Sequence, residues 1–280
     1  MKIKNIKTLI LLISVYFISK PLTAQYAYFH AGGGYGLPSS PINFEGFSNT
    51  TDDGNTFTNE QVKLSLGKGI NFNGAFGYMF NDNFGAELGV NYLMSSTWES
   101  KSTISSGTIN SGLEVTTIDA SMTRINPMFV LQSESSAITP YAKLGMVIGF
   151  GSIKNTFNTT ENNFGNVTTF ESAAKLSGGI GIGFNAALGA NFEIGDNMFI
   201  FGELAFVNMS YSPANGELTK YIVNGNDNLS KLDVNDKKAV FVDSYEQSGT
   251  TPSTEPSKVL TEKYPFGSVG LNIGFRMTFN

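Results

Sequence analysis

The sequence predicts an all-β protein, an eight-stranded antiparallel up-and-down transmembrane β-barrel with four long extracellular loops. Three observations predict it. Apolar and small-polar residues alternate with a period of two in segment after segment. The connections between these segments alternate strictly between short and long. The two faces of each segment also differ in kind: one carries Leu, Ile, Val, Phe and Tyr, the other Gly, Asn, Ser, Thr and isolated charges.

The first residues stand outside this pattern. Lys2, Lys4 and Lys7 make a positive start, and Thr8 to Ser19 is uncharged and mostly apolar. Lys20 and Pro21 end that run, and Leu22-Thr23-Ala24 offers a small residue before Gln25. This order is that of a secretory signal peptide, expected over 1–24 and removed by cleavage. As a helix rising about 1.5 Å per residue, the run is too short for a hydrocarbon layer of roughly 30 Å. The mature part, 25–280, is expected to be one barrel domain. Losing the four lysines takes the net charge from −5 to −9. An acidic exported chain lacks the clustered Lys and Arg that hold phosphate backbones, so nucleic acid is excluded as a partner. With no Cys, disulfides and thiolate metal sites are excluded too. Thirty-one Gly and 23 Phe argue against helices and for strands.

Eight strands are expected at roughly 25–36, 68–81, 83–95, 117–132, 138–152, 173–194, 198–211 and 265–280. In the first, Gly32-Gly33-Gly34 blurs the alternation. In the third, Phe84, Ala86, Leu88, Val90 and Tyr92 alternate with Gly85, Glu87, Gly89 and Asn91. Pro127 in the fourth cannot donate to a ladder, and suggests a bulge or a position near the strand's periplasmic end. The sixth is read as one long strand with Leu176, Ile180, Ile182 and Phe184 on one face. Its other face then holds Lys175, Ser177, Gly179 and Gly181. The eighth alternates to the last residues. Short turns are expected at 81–83, 133–137 and 195–197, and long polar connections at 37–67, 96–116, 153–172 and 212–264. Short periplasmic turns and long external loops are the arrangement of a membrane barrel.

Eight strands enclose an interior only wide enough for side chains. A Gly-rich polar set fits inside it and columns of Phe and Leu do not, so the bulky face is expected against outer-membrane lipid. Closure removes strand edges that hydrocarbon could not satisfy. Tyr78, Phe80, Phe84, Phe192, Phe199, Phe201 and Phe279 are expected in one interfacial aromatic girdle, with Trp98 and Tyr92 at the other. The strand charges fall on the small-polar face: Glu87, Arg124, Lys143, Glu203 and Arg276, with Lys175 and Glu193 nearer strand ends. Facing lipid, a basic side chain would cost about 2–4 kcal/mol at the midplane. Facing inward, these groups can pair and form a lumen charge cluster.

This arrangement resembles the OmpA/OmpX-type outer-membrane barrel family over 25–280. The resemblance implies a monomeric or weakly oligomeric barrel in the cell outer membrane. It also implies a C-terminal signal for the outer-membrane assembly machinery, here Phe275, Met277 and Phe279, although Asn280 follows the last aromatic. It leaves no room for an appended peptidoglycan-binding domain, and it carries no substrate.

Two functions remain open on these residues. One is a structural or surface-binding barrel, plugged inside, with an extracellular ligand met through 212–264. The other is a narrow porin-like channel for small solutes. A third, a lipid-modifying enzyme, would depend on His30, the only histidine, and no catalytic residue is assigned. No cofactor is expected. Asp52-Asp53-Gly54-Asn55 and Asn224-Gly225-Asn226-Asp227-Asn228 are oxygen-rich but lack the spacing of a helix–loop–helix calcium site, and are read as polar loop tips.

Overall fold

A computed structural model describes residues 25–106, 110–133, 137–246 and 252–279. The signal peptide expected at 1–24 and the terminal Asn280 lie outside the described residues. The strands in chain order are β1 (Tyr26–Pro38), β2 (Ile42–Asp52), β3 (Phe57–Leu64), β4 (Gly69–Met79), β5 (Phe84–Ser95), β6 (Trp98–Ser106), β7 (Asn110–Gln132) and β8 (Ile138–Asn163). They continue with β9 (Asn166–Ser177), β10 (Gly181–Gly195), β11 (Met198–Tyr211), β12 (Asn215–Val223), β13 (Asn226–Asp227), β14 (Lys238–Val242), β15 (Ser257–Leu260), β16 (Tyr264–Pro265) and β17 (Ser268–Phe279).

Eight of these close a barrel. β1 pairs with β4, β4 with β5, β5 with β7, β7 with β8, β8 with β10, β10 with β11, β11 with β17, and β17 with β1, all antiparallel. Turn chemistry sets the narrow end. Asn81 Oδ1 accepts from the backbone N–H of Asn83 and Phe84, and Asn197 takes a left-handed φ of 62°.

The polarity of the wall is inverted relative to a water-soluble barrel. Between Met122 and Gln132, burial alternates residue by residue. Met122, Arg124, Asn126, Met128, Val130 and Gln132 are buried, while Phe129 is 73% exposed. Leu88, Leu144, Leu188 and Leu271 are likewise exposed on the outer face. Exposed apolar area of this extent needs a nonaqueous surround. Pro127 sits in this wall without shifting the register: Ile125 pairs with Ile148 and Met128 with Gly145. It therefore marks no bulge, only a step where the ladder lacks a donor.

The sixth expected strand is interrupted. Gly178 and Gly179 have φ of 74° and 72° and separate β9 from β10. Ser152 pairs with Ser177 but Gly149 with Gly181, so one extra residue is inserted opposite β8. Such a bulge flips the side chains beyond it. Ile182 below it points out and is exposed, whereas Leu176 above it packs on the interior. Lys175, expected on the lumen face, is consequently exposed on the outside.

Among the described residues the long connections are largely built as strands. β7 and β8 run on past the barrel, pairing from Asn110 with Asn163 down to Ile118 with Asn155. β6 flanks β7, and β2 and β3 extend the sheet on that side. β9, β12, β14 and β15 extend it on the other. The polar alternation of these segments makes a two-sided β-structure above the apolar band. We call this extension the crown. Asp52, Asp53 and Asn224 serve at its tips: Asp53 accepts from the N–H of Asn55 at 2.9 Å and Thr56 at 2.6 Å. Those bonds hold its carboxyl below the usual carboxylate range.

Candidate functional site

The barrel interior concentrates the buried polar and charged side chains, and it is layered. Nearest the short turns, the Arg276 guanidinium lies 3.7 Å from the Tyr28 ring centroid. Its Nη2 donates to Tyr26 Oη at 3.3 Å and Gln132 Oε1 at 3.4 Å. Gln132 in turn donates to Tyr26 Oη at 2.7 Å. Val130 and Met79 fill the space beside Tyr28.

The next layer is ionic. Lys143 Nζ sits 2.9 Å from Glu87 Oε2 and 3.2 Å from Glu203 Oε2. Tyr28 Oη donates to Glu87 at 2.8 Å, and Tyr141 Oη to Glu203 at 3.2 Å. His30 Nδ1 lies 3.5 Å from Glu87 Oε2. Asn272 Nδ2 donates to Glu203 Oε1 at 3.2 Å. These groups come from β1, β5, β8, β11 and β17, so the network ties the wall together from within. Each carboxylate has both a cation and hydroxyl or amide donors, the condition under which buried charge is tolerated.

Of the five expected lumen charges, the fold brings Glu87, Lys143 and Glu203 into direct contact. Arg276 reaches the cluster through Tyr28. Arg124 stands apart: it is 4% exposed and makes no ion pair among the described residues. It borders a cavity of about 70 Å³ lined by asparagines, including Asn71, Asn73, Asn91 and Asn126.

Above that layer the expectation of a polar lumen fails. Leu64, Leu66, Leu93, Ile118, Met122, Val147, Ile153, Met209 and Phe266 form a buried apolar cluster across the crown end of the barrel. Two connecting segments fold inward to complete it. Leu66 N donates to Pro265 O at 2.8 Å, and Phe266 N to Met209 O at 2.8 Å. Phe266 meets the Tyr211 ring edge-on, at 6.0 Å between centroids. Glycine makes the room here too: an added Cβ on Gly149 would come within 2.7 Å of the Met122 sulfur and 3.0 Å of the Met209 sulfur.

Three girdle assignments are corrected, the first being Phe199, which pairs with the inward Arg276 and lines the lumen end beside Tyr26 and Gln132. Phe201 is 2% exposed and faces inward, its ring 5.0 Å from that of His30. Gly32 and Gly274 make room for it: a Cβ on Gly32 would come within 2.9 Å of the Phe201 ring. Trp98 also turns inward, donating its Nε1 to Ser65 O at 3.2 Å and packing on the apolar cluster. Tyr78, Phe80, Phe84, Tyr92, Phe192 and Phe279 are exposed on the wall as expected. Phe275, Met277 and Phe279 face outward on β17, held between β1 and β11.

The sequence reading missed the roles of His30, Tyr28, Tyr141 and Gln132. The signal was available in part. Tyr26, Tyr28 and His30 share one parity of β1, and Phe201 shares that of Glu203, two residues on.

The family profile described as "Outer membrane protein beta-barrel domain" matches residues 8–235. No curated protein matches the chain. Among solved structures the chain is similar to Ail, the attachment invasion locus protein of Yersinia pestis. The TM-score is 0.30 and the identity 12%, over 91% of this chain and 100% of that one.

Proposed function

The chain belongs to the outer membrane protein β-barrel domain family, and from that premise we propose that it is a non-conducting barrel whose crown is an interaction surface. It resides in the cell outer membrane, with lipid as its immediate surround. The observation that carries the proposal is the succession of filled layers in the interior. The Lys143–Glu87–Glu203 network spans the lumen, and the apolar cluster around Leu93, Met122 and Met209 lies across the same axis. An ion would have to break the first and dehydrate against the second.

With the axis filled, the surface offered outside is the crown. Its sheet carries exposed Phe57, Phe164 and Val167 at hairpin tips and an exposed Leu260 on β15. The segment 212–264 contributes β12, β14 and β15, so an external ligand would meet built strands there. We place no reaction in the lumen, because His30 is walled by Tyr28, Phe201 and Glu87. The outward Phe275, Met277 and Phe279 suit the assembly signal inferred from the resemblance.

The test is proteoliposome swelling with refolded protein whose unboiled gel band shifts on heating. Swelling in a small neutral sugar is expected to match that of protein-free vesicles. Faster swelling that declines with sugar size would make the protein a narrow solute channel instead.

A further inference from the structure

We propose that Arg124 and the asparagine cavity beside it form an internal binding site for a small monovalent anion of the halide class. Arg124 lies on the lumen face of β7 and is 4% exposed. Its Nε and Nη2 have no hydrogen-bond partner among the described residues. A guanidinium does not shed its proton, so these N–H groups carry charge as well as donor capacity. Buried charge without a partner is expensive, and buried donors are nearly always satisfied.

The described carboxylates do not meet this need. Glu87 and Glu203 border the same cavity, but Lys143, Tyr28, Tyr141 and Asn272 already engage them. Counted over the five membrane-level lumen charges, two acids face three bases, leaving one positive charge. Arg276 also keeps a buried Nε without a partner, but its guanidinium lies against the Tyr28 ring and donates to two neutral acceptors. Among the described residues Arg124 has neither, and the surplus falls there. One monovalent anion neutralises it.

The cavity suits such an ion by size and lining. Its volume is about 70 Å³, well above the roughly 10–15 Å³ that a single water needs. That admits a halide together with bound water. Asn71, Asn73, Asn91 and Asn126 supply carboxamides around it. Asn91 and Asn126 each keep a carboxamide oxygen without a partner, which a water bound to the ion can satisfy. The inference holds whether or not the crown binds a partner, and it does not require conduction.

Two measurements on the full mature chain test it. In crystals grown with bromide as the only halide, an anomalous peak is expected within hydrogen-bond reach of Arg124 Nε and Nη2. In urea titrations of detergent-folded protein at fixed ionic strength, chloride is expected to stabilise the barrel relative to gluconate. At ten times the site's Kd, the folded-to-unfolded ratio rises about elevenfold. Arg124→Met is expected to retain its heat-shifted gel band and lose the chloride response. A site occupied by water alone in bromide crystals, or equal stability in chloride and gluconate, overturns the proposal. A chloride response that persists in Arg124→Met overturns it too. Should that variant fail to fold, the bromide crystals of the unaltered protein decide.

Discussion

Lys143 and Glu87 form a 2.9 Å ion pair across the lumen, between strands β8 and β5 that are not neighbours in the wall. β7 lies between them, so the pair braces the barrel across its interior. Replacing Glu87 by Gln leaves the Lys143 ammonium with one carboxylate, and Tyr28 without its charged acceptor. The expected loss is about 3–5 kcal/mol in urea unfolding of the folded barrel, the cost typical of removing one partner from a buried pair. A double-mutant cycle with Lys143→Met is expected to show strong coupling. Additive effects would mean that the two side chains stand independently.

Phe201 occupies the space that Gly32 and Gly274 leave open, against His30. Phe201→Ala removes an aromatic ring from a site that cannot collapse, since the wall is hydrogen-bonded on both sides. The expected destabilisation is about 3–5 kcal/mol. A loss below about 1 kcal/mol would place the ring on the lipid side, where truncation leaves no cavity.

The bulge between β9 and β10 discriminates between its two glycines. At Gly179 an added Cβ would sit 2.1 Å from Ser212 O, a backbone atom, in addition to the left-handed φ. At Gly178 the nearest atom is the Asn215 side-chain nitrogen at 2.9 Å, which can move, and Asn tolerates that φ. Gly178→Asn is expected to fold nearly as well as the parent, and Gly179→Ala to lose about 1–3 kcal/mol or more. Thermal shift of the gel-band transition measures both. Equal effects would contradict the close approach of Ser212.

The same bulge explains where sequence reading stopped. Period-two alternation located the eight wall strands and put Glu87, Arg124, Lys143, Glu203 and Arg276 inside, because parity survives along an uninterrupted ladder. One inserted residue at Gly178-Gly179 reverses parity, which turns Lys175 to the outer face. Phe199 and Phe201 depart from the expected girdle for another reason: both lie close to a turn, but on an unbroken ladder they share the inward parity of Glu203. The crown and its apolar lid were illegible because Leu66 bonds to Pro265 and Phe266 to Met209 through backbone bonds between distant segments that no local pattern encodes. Which charges touch was equally hidden, since the contacts depend on side-chain length across the lumen.

Side-chain direction on the crown can be read chemically, because the chain has no native Cys. Single cysteines at Phe164 and Lys175 are expected to react with a membrane-impermeant thiol reagent on intact cells. A cysteine at Asn197, in a short turn at the opposite end, is expected to react only after lysis. Labelling of Asn197→Cys alone on intact cells would invert the assigned orientation.

The most direct test of the filled lumen is planar-bilayer conductance of the folded protein, compared with a variant carrying Leu93→Gly, Met122→Gly and Met209→Gly. The parent is expected to be silent. The variant, whose apolar layer is opened while the Lys143–Glu87–Glu203 network is kept, is expected at most to flicker until Lys143→Met is added and then to conduct. Steady ion-selective steps from the parent protein would contradict the account and make the interior a pore.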